Sequence, residues 1–248
     1  MTGRARQIAV VLAALFNVVL NSLAGAGLLF GVETGTVSDA APTPITAAGW
    51  TFGIWSVIFA GLLVFAVWQA RAATRDARYD ALAVPFVVGN VLTGLWQIPW
   101  LLGWLGVAAV GLFVIVACVA WLYVRLDRMT LRGAERWALG VPTSLWLAWV
   151  TVAAALNVAV TGVAAGIAGD PLVGAGVVVA VGAIGAWLVS RTADLAMTLV
   201  FLWAFAGIAA AQDAPVVRGA LVVAALLVVG ALALARRRGL SFWPTAHA

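Results

Sequence analysis

Eight long apolar runs, each close to the roughly 20 residues that cross a lipid bilayer as a helix, dominate this chain. Hydrophobic residues make up 65% of it and charged residues 9%, whereas an ordinary soluble domain carries about 25% charged residues. A soluble fold of this length could not hide so much apolar surface, because roughly a quarter of the surface of its unfolded chain stays exposed. The sequence therefore predicts an all-α, polytopic transmembrane helix bundle of about eight spans, without a sizeable soluble domain.

Charges, prolines and glycines mark the ends of the expected spans. The connection 103–106 carries no charge and is the weakest boundary. The fifth run is too long for one span, so either its ends lie outside the hydrocarbon core or it is tilted. The longest connection, 31–48, holds two acidic residues and two prolines, and its length allows it to act as a lid. The spans are expected at 8–30, 49–70, 81–102, 107–124, 137–167, 172–189, 195–211 and 216–235.

The arginines predict the orientation of these spans. The chain has no lysine, and with the N-terminus inside the cell only Arg218 falls outside. Short inside loops are rich in Lys and Arg, so we expect both termini in the cytoplasm, in the plasma membrane of a prokaryote. The inside residues are Arg4, Arg6, Arg71, Arg75, Arg78, Arg125, Arg128, Arg132, Arg136, Arg191 and Arg236 to Arg238.

Two terminal segments allow more than one interpretation. Residues 1–27 also resemble a signal peptide, whose removal would leave seven spans and an outside N-terminus. Asn17 and Asn21 interrupt its apolar core, which favours a retained helix. Arg236 to Arg238 are interpreted as a lipid-headgroup anchor, so membrane lipid is an expected partner and nucleic acid is not.

Ionisable groups are scarce within the spans. The acidic residues lie in loops or at helix ends, His247 is the one histidine and Cys118 the one cysteine. Proton relays and ion-coupled transporters place ionisable groups inside the membrane, and zinc or acid–base chemistry needs clustered ligands or paired acids. Enzymatic activity is therefore not favoured, and we expect no metal site and no required cofactor.

Tryptophan is abundant, with 13 residues in the chain. Many positions fit the interfacial belt, where the indole bridges headgroups and acyl chains: Trp50, Trp68, Trp104, Trp121, Trp137, Trp187 and Trp243. Others fall several residues inside their spans, where the indole N–H needs a partner: Trp55, Trp96, Trp146, Trp149 and Trp203.

Polar side chains occur at similar depths in the same spans. They have two interpretations that can both hold. Hydrogen bonds between them can join helices, each contributing about 0.6 kcal/mol. Alternatively, they are the few polar groups of an aromatic-walled pocket for a flat apolar ligand. These residues are Asn17 and Asn21, then Asn90, Thr93 and Gln97, then Thr151 and Asn157.

Three segments resemble the TspO/MBR family of tryptophan-rich sensory proteins. Residues 49–59, Gly-Trp-Thr-Phe-Gly-Ile-Trp-Ser-Val-Ile-Phe, are similar to its second-helix signature. Leu92-Thr93-Gly94-Leu95-Trp96 is similar to the third-helix Leu-Asn-x-x-Trp. Pro142, Trp146, Trp149 and Leu156-Asn157 follow the fifth-helix order. The similarity covers about residues 8–165. It departs from the family pattern where the second helix lacks a proline, Phe59 replaces a tyrosine and Thr93 an asparagine.

The resemblance implies a five-helix core over residues 1–168, with three additional helices and a basic tail over 169–248. It also implies a membrane ligand-binding or sensory protein, a tetrapyrrole such as protoporphyrin IX or a sterol-like molecule as ligand, and a possible homodimer. The implied pocket walls are Trp50, Phe52, Trp55 and Phe59; Asn90, Thr93 and Trp96; and Trp146, Trp149 and Asn157.

Two other functions stay open at this point. Eight spans suit a transporter or permease for a neutral or amphipathic solute, although the lack of membrane charges argues against ion coupling. An enzyme that breaks down a bound pigment under light, an activity reported for the family, would use tryptophan rather than acid–base groups.

Overall fold

The computed structural model describes residues 2–131, 133–167 and 169–240. Arg132, Trp243 and His247, which entered the sequence predictions, lie outside these residues. Throughout the described part the regular structure is helical, and the protein is an all-α polytopic bundle as predicted.

The helices follow one another with short connections. A 3-10 turn, Gly49–Gly53, leads into the third helix, and a π-helical turn, Arg136–Gly140, leads into the seventh. The helices are α1 Gly3–Gly25, α2 Thr34–Asp39, α3 Ile54–Ala70, α4 Ala77–Leu95, α5 Gln97–Leu101, α6 Leu105–Asp127, α7 Val141–Ala164, α8 Pro171–Thr192, α9 Leu195–Ala211 and α10 Pro215–Arg237.

Seven helical segments of the described chain are long and apolar enough to cross a membrane. The remaining expected span corresponds to α9, which is apolar but has 17 residues. At about 1.5 Å per residue it reaches roughly 25 Å, the lower limit for a span. The fifth expected span is the longest segment, 29 residues, and joins the π-helical turn to α7.

The first expected span is wrong at both ends. It was placed at 8–30, whereas α1 begins at Gly3 and ends at Gly25. Its start is polar yet helical, so Arg4 lies in the first turn. Its end falls in a glycine-rich stretch where Gly27 and Gly31 have φ of 70°, a conformation that glycine adopts without steric cost.

The chain forms two compact units. The first contains residues 2–34 and 54–147, and the second contains 35–53 and 148–240 among those described. The division falls within α7 and within the first long connection, whereas the sequence-predicted domain boundary follows residue 168. Apolar periodicity cannot reveal such a division, because helices in a membrane are apolar on both their packed and lipid-facing sides.

In the first unit, α1 packs along α4 and α3, and α4 packs along α6. Gly94 of α4 allows the close approach of α1, since a Cβ there would lie 3.0 Å from the ring of Phe16. At one end, the fully buried Arg6 pairs with Asp80 at 3.0 Å and donates to the carbonyl oxygens of Thr74 and Asp76. Arg6, which the sequence analysis used only to predict orientation, is therefore part of the packed interior.

In the second unit, α8 and α10 share the most extensive contact and α9 packs against both. Gly182 makes the crossing of α8 and α10 possible, because a Cβ at this position would lie 2.5 Å from the Cβ of Ala224. Asp170 and Asp194 cap α8 and α9 by accepting hydrogen bonds from Leu172 N and Met197 N, which satisfies amide groups that lack partners inside the helix.

Part of the long connection 31–48 is fixed within the second unit. Gln212 Nε2 donates to the carbonyl oxygens of Thr43 and Thr46, and Ala48 N donates to the carbonyl of Gly207. Ile45 is buried. Residues 43–48 are thus fastened in place rather than free to move as a lid.

Candidate functional site

A column of buried aromatic rings lies in the first unit. Phe65 and Phe86 stack with ring centroids 4.2 Å apart, and Trp146 meets Phe86 edge-on at 6.3 Å. All of them are fully buried. Gly89 lies directly beneath the indole, since a Cβ there would come within 2.8 Å of Trp146 Cη2. The absence of a side chain at Gly89 is therefore what makes room for Trp146.

The indole N–H of Trp146 has no hydrogen-bond acceptor among the described residues, although the side chain is 0% exposed. Burying a donor without a partner costs about 1–3 kcal/mol. The ring thus offers a wide apolar face and one unused donor in the protein interior, a combination suited to orienting a flat ligand.

The predicted polar residues of α4 use their groups within the protein. Thr93 Oγ1 donates to the carbonyl of Gly89 at 2.8 Å, and Asn90 Nδ2 donates to the carbonyl of Phe86 at 2.9 Å. The two acceptors belong to Gly89 and Phe86, the α4 residues that lie against Trp146. These bonds favour helix packing as the role of Asn90 and Thr93.

A chain of amide hydrogen bonds joins α1 to α4 and α5. Gln97 Nε2 donates to Asn21 Oδ1 at 2.6 Å, Asn21 Nδ2 to Asn17 Oδ1 at 2.8 Å, and Asn17 Nδ2 to Asn90 Oδ1 at 2.9 Å. Thr34 Oγ1 donates to Gln97 Oε1 at the other end. Each donor points the same way along this chain, so the bonds polarise one another. We call Gln97, Asn21, Asn17 and Asn90 the amide chain.

Trp96 pairs with a neighbouring tryptophan. It stacks on Trp100 with centroids 5.2 Å apart, and its N–H donates to the carbonyl of Ala108 at 3.0 Å. The N–H of Trp100 donates to the carbonyl of Thr34. The polar groups of both indoles are therefore satisfied within the first unit.

Two more of the predicted pocket residues lie in the first unit, on α3. Trp55 and Phe59 stack at 5.1 Å, one helical turn apart, and both are half-buried. They form a ridge of aromatic surface along the helix.

In the second unit, the 3-10 turn carries two of the predicted residues. Trp50 is 50% exposed and meets Trp203 edge-on at 4.8 Å. The N–H of Trp203 donates to the carbonyl of Thr51 at 2.9 Å. Phe52 meets the buried Trp149 edge-on at 6.0 Å. Two aromatic pairs thus hold the turn in place.

Asn157 lies further along α7, also in the second unit. Its Nδ2 donates to the carbonyl of Ala153 at 3.2 Å, and its Oδ1 accepts nothing from the described residues. Beside the preceding turns of α7, residues of α8 and α9 enclose an apolar cavity of about 10 Å³, room for about one water molecule.

The structure thus places Trp146, Asn90 and Thr93 in the first unit, and brings Phe52 into contact with Trp149 in the second. Phe65 and Phe86, the partners of Trp146, were missed. Nothing in the sequence distinguishes them from other phenylalanines in apolar runs. Gly89 was missed as well, and its signal is weak because the chain has 26 glycines. No group of His, Cys, Asp and Glu that could hold a metal ion occurs among the described residues.

These features define an integral membrane protein, a polytopic helical bundle with aromatic side chains and amides in its interior. The chain belongs to the TSPO-like protein family, whose family model matches residues 7–234. The match extends to residue 234 in α10. The last three helices, for which the resemblance in the sequence gave no counterpart, are therefore part of the family pattern. No curated protein and no solved structure matches this chain significantly.

Proposed function

We propose that this TSPO-like membrane protein binds a flat apolar ligand of the tetrapyrrole class against Trp146, with a sensory rather than enzymatic role. The observation that carries the proposal is the fully buried indole N–H of Trp146, which has no acceptor among the described residues. A ligand carbonyl or carboxylate would remove the penalty of this unpaired donor. Family membership supports the ligand class.

The aromatic column supplies the apolar part of the site. Phe86 and Trp146 meet edge to face, and Phe65 stacks behind Phe86. Aromatic rings in this arrangement stack on other flat rings without needing a specific polar pattern. Trp55, Phe59 and Trp96 remain proposed contacts of the ligand in the first unit, and Asn90 and Thr93 act by fixing the helix beneath Trp146. Trp50, Phe52, Trp149 and Asn157 lie in the second unit and stay predictions from the sequence.

Binding requires packed side chains to separate. Sites for drug-sized molecules need about 300 Å³ or more, so the 10 Å³ cavity beside α7 cannot hold a tetrapyrrole. Because Trp146 is 0% exposed, a ligand reaches its N–H only after the rings around it move. We therefore expect the ligand to associate much more slowly than the diffusion limit.

The proposal is tested by titrating the purified protein in detergent with protoporphyrin IX, following the Soret band and tryptophan quenching. Trp146→Phe keeps one aromatic ring at this position but removes the donor, and we expect about tenfold weaker binding, the effect of one hydrogen bond. Trp187→Phe is the control, because Trp187 is 61% exposed. Equal affinities in all three proteins would contradict the proposal, and saturable solute counterflow in proteoliposomes would favour a transporter instead.

We also propose that both termini are cytoplasmic in a prokaryotic plasma membrane. The support is the clustering of arginines at one set of helix ends, with Arg218, the exception, paired with Asp213 at 2.8 Å. This orientation requires α9 to cross the membrane.

A further inference from the structure

An open groove of about 370 Å³ runs along the start of α1 in the first unit. Its polar end is formed by Arg4, Gln7 and Arg75, and its apolar end by Ile8, Val11 and Leu12. The proposed tetrapyrrole site does not use this groove.

The two arginines of the groove have no carboxylate partner among the described residues. Both are exposed. The nearest acidic residues along the chain are engaged elsewhere, since Asp76 caps α4 by accepting from Arg78 N and Asp80 pairs with Arg6. The polar end of the groove therefore carries positive charge that the protein itself does not neutralise.

Gln7 fixes the position of Arg75, so the polar end of the groove is structured. Gln7 is 6% exposed, its Nε2 donates to the carbonyls of Gln69 and Arg71, and its Oε1 accepts from Arg75 Nε at 3.0 Å. These bonds orient the Arg75 guanidinium and leave its terminal nitrogens available. An oriented guanidinium is a strong binding group for a phosphate.

The apolar end continues along the same face of α1. Arg4, Ile8, Val11 and Leu12 are spaced so that they share one side of the helix. Ile8 and Leu12 are 59% and 60% exposed. From Arg4 to Leu12 the helix rises about 12 Å, so a molecule bound by its phosphate at Arg4 can lay a hydrocarbon chain over the apolar side chains.

We propose that this groove binds one anionic phospholipid, with the phosphate on Arg4 and Arg75 and an acyl chain over Ile8, Val11 and Leu12. A soluble anion would leave the apolar wall exposed, while lipid covers it. A headgroup carrying an extra cation would find no carboxylate in the groove, so a net negative headgroup is preferred over a zwitterionic one. The site is independent of the proposed tetrapyrrole site.

The test is native mass spectrometry of the full-length protein in detergent, titrated with phosphatidylglycerol and with phosphatidylcholine of the same chains. We expect one molecule of phosphatidylglycerol to bind with an affinity at least about tenfold higher than that of phosphatidylcholine. The variant Arg4→Gln with Arg75→Gln should lose that preference. The control, Arg125→Gln with Arg128→Gln, removes the same charge from the end of α6, where both arginines are exposed, and should keep it.

Two further arms separate the possible explanations. Arg4→Gln alone tests the charge without disturbing Gln7, because Arg4 takes no part in the hydrogen bonds around Gln7, and it should weaken retention several-fold. Glycerol phosphate, which has the anion but no acyl chain, should not displace the lipid. Equal retention in wild type and the double variant, no preference between the two lipids, or full displacement by glycerol phosphate would overturn the proposal.

Discussion

At the scale of single residues, the tryptophans of the spans differ in whether the indole N–H has an acceptor. The N–H groups of Trp96, Trp100 and Trp203 donate to backbone carbonyls at about 3.0 Å, 3.0 Å and 2.9 Å, whereas that of Trp146 finds no acceptor in the described chain. The sequence predicts that Trp96, Trp146 and Trp203 lie inside their spans. It does not predict which indole lacks a partner, because the acceptors are carbonyls brought near by tertiary packing.

Gly89→Ala tests the close approach under Trp146. The new Cβ would lie 2.8 Å from Trp146 Cη2, and such overpacking typically costs 1–3 kcal/mol. We expect a lower thermal unfolding midpoint in detergent, with partial recovery when Trp146→Phe is added, since phenylalanine lacks the distant ring. Gly106→Ala is the control, because a Cβ there meets nothing within 4 Å. If both alanine variants melt alike, Gly89 has no packing role.

Arg6→Met tests the buried ion pair at the start of α1. Removing one partner of a buried pair typically costs 3–5 kcal/mol, although the 25% exposure of the Asp80 side chain reduces this. We expect a clear fall in the unfolding midpoint, whereas Arg4→Met should change it little. Equal unfolding midpoints for the two variants would mean that the Arg6 ion pair does not stabilise the fold. From the sequence both arginines were interpreted only as determinants of topology.

At the scale of helices, most spans were predicted within a few residues because charges and capping residues mark their ends. Asp170-Pro171 and Asp194 do begin α8 and α9. The uncharged hairpin also proved to be a boundary, with Gly103 at φ 72° between α5 and α6. The end of α1 could not be placed, since the residues beyond Gly25 are as apolar as those before it.

Asn17→Leu tests the amide chain that joins α1 to α4. The substitution leaves Asn21 Nδ2 with its bond to the Asn17 carbonyl, but removes the acceptor Asn17 Oδ1 and the donor to Asn90. We expect the free energy of unfolding to fall by about 1–3 kcal/mol, because buried polar groups lose their hydrogen-bond partners. Double-variant cycles with Asn90→Leu should give a coupling near 0.6 kcal/mol. Additive effects would show that the two amides do not interact.

Gly182→Leu tests the crossing of α8 and α10. A Cβ at Gly182 would lie 2.5 Å from that of Ala224, whereas one at Gly176 on the same helix meets nothing within 4 Å. We expect Gly182→Leu to lower the yield of folded protein and its unfolding midpoint, and Gly176→Leu to leave both near wild type. If Gly176→Leu were the more destabilising of the two, the close contact between α8 and α10 would not lie at Gly182.

At the scale of the whole molecule, apolar run length and family membership agree on an integral membrane bundle. The division into two units within α7 was not predictable, because the sequence of α7 is continuously apolar through the boundary. The candidate site was predicted by residue type but not by arrangement. The ten predicted residues divide between the units, and their partners Phe65 and Phe86 carry no sequence signal.

The proposed topology predicts a labelling pattern. In a Cys118→Ala background, which removes the one native cysteine, Thr2→Cys and Gly239→Cys should react with an impermeant maleimide only in permeabilised cells. Asp213→Cys, at a position between α9 and α10, should react in intact cells. Labelling of Thr2→Cys in intact cells would contradict the proposed orientation, whereas its loss from the mature chain would favour the cleaved-signal alternative.

The central claim is that the Trp146 N–H is a free donor that a ligand engages. It is tested most directly by NMR of the protein with ¹⁵N-labelled indoles, before and after addition of protoporphyrin IX, with the Trp146→Phe variant identifying the resonance. The account predicts that the Trp146 proton starts at a position typical of an unbonded indole and moves downfield as the Soret band saturates, while that of Trp203 stays in place. A Trp146 resonance that is already hydrogen-bonded without ligand, or that stays unmoved at saturation, would contradict it.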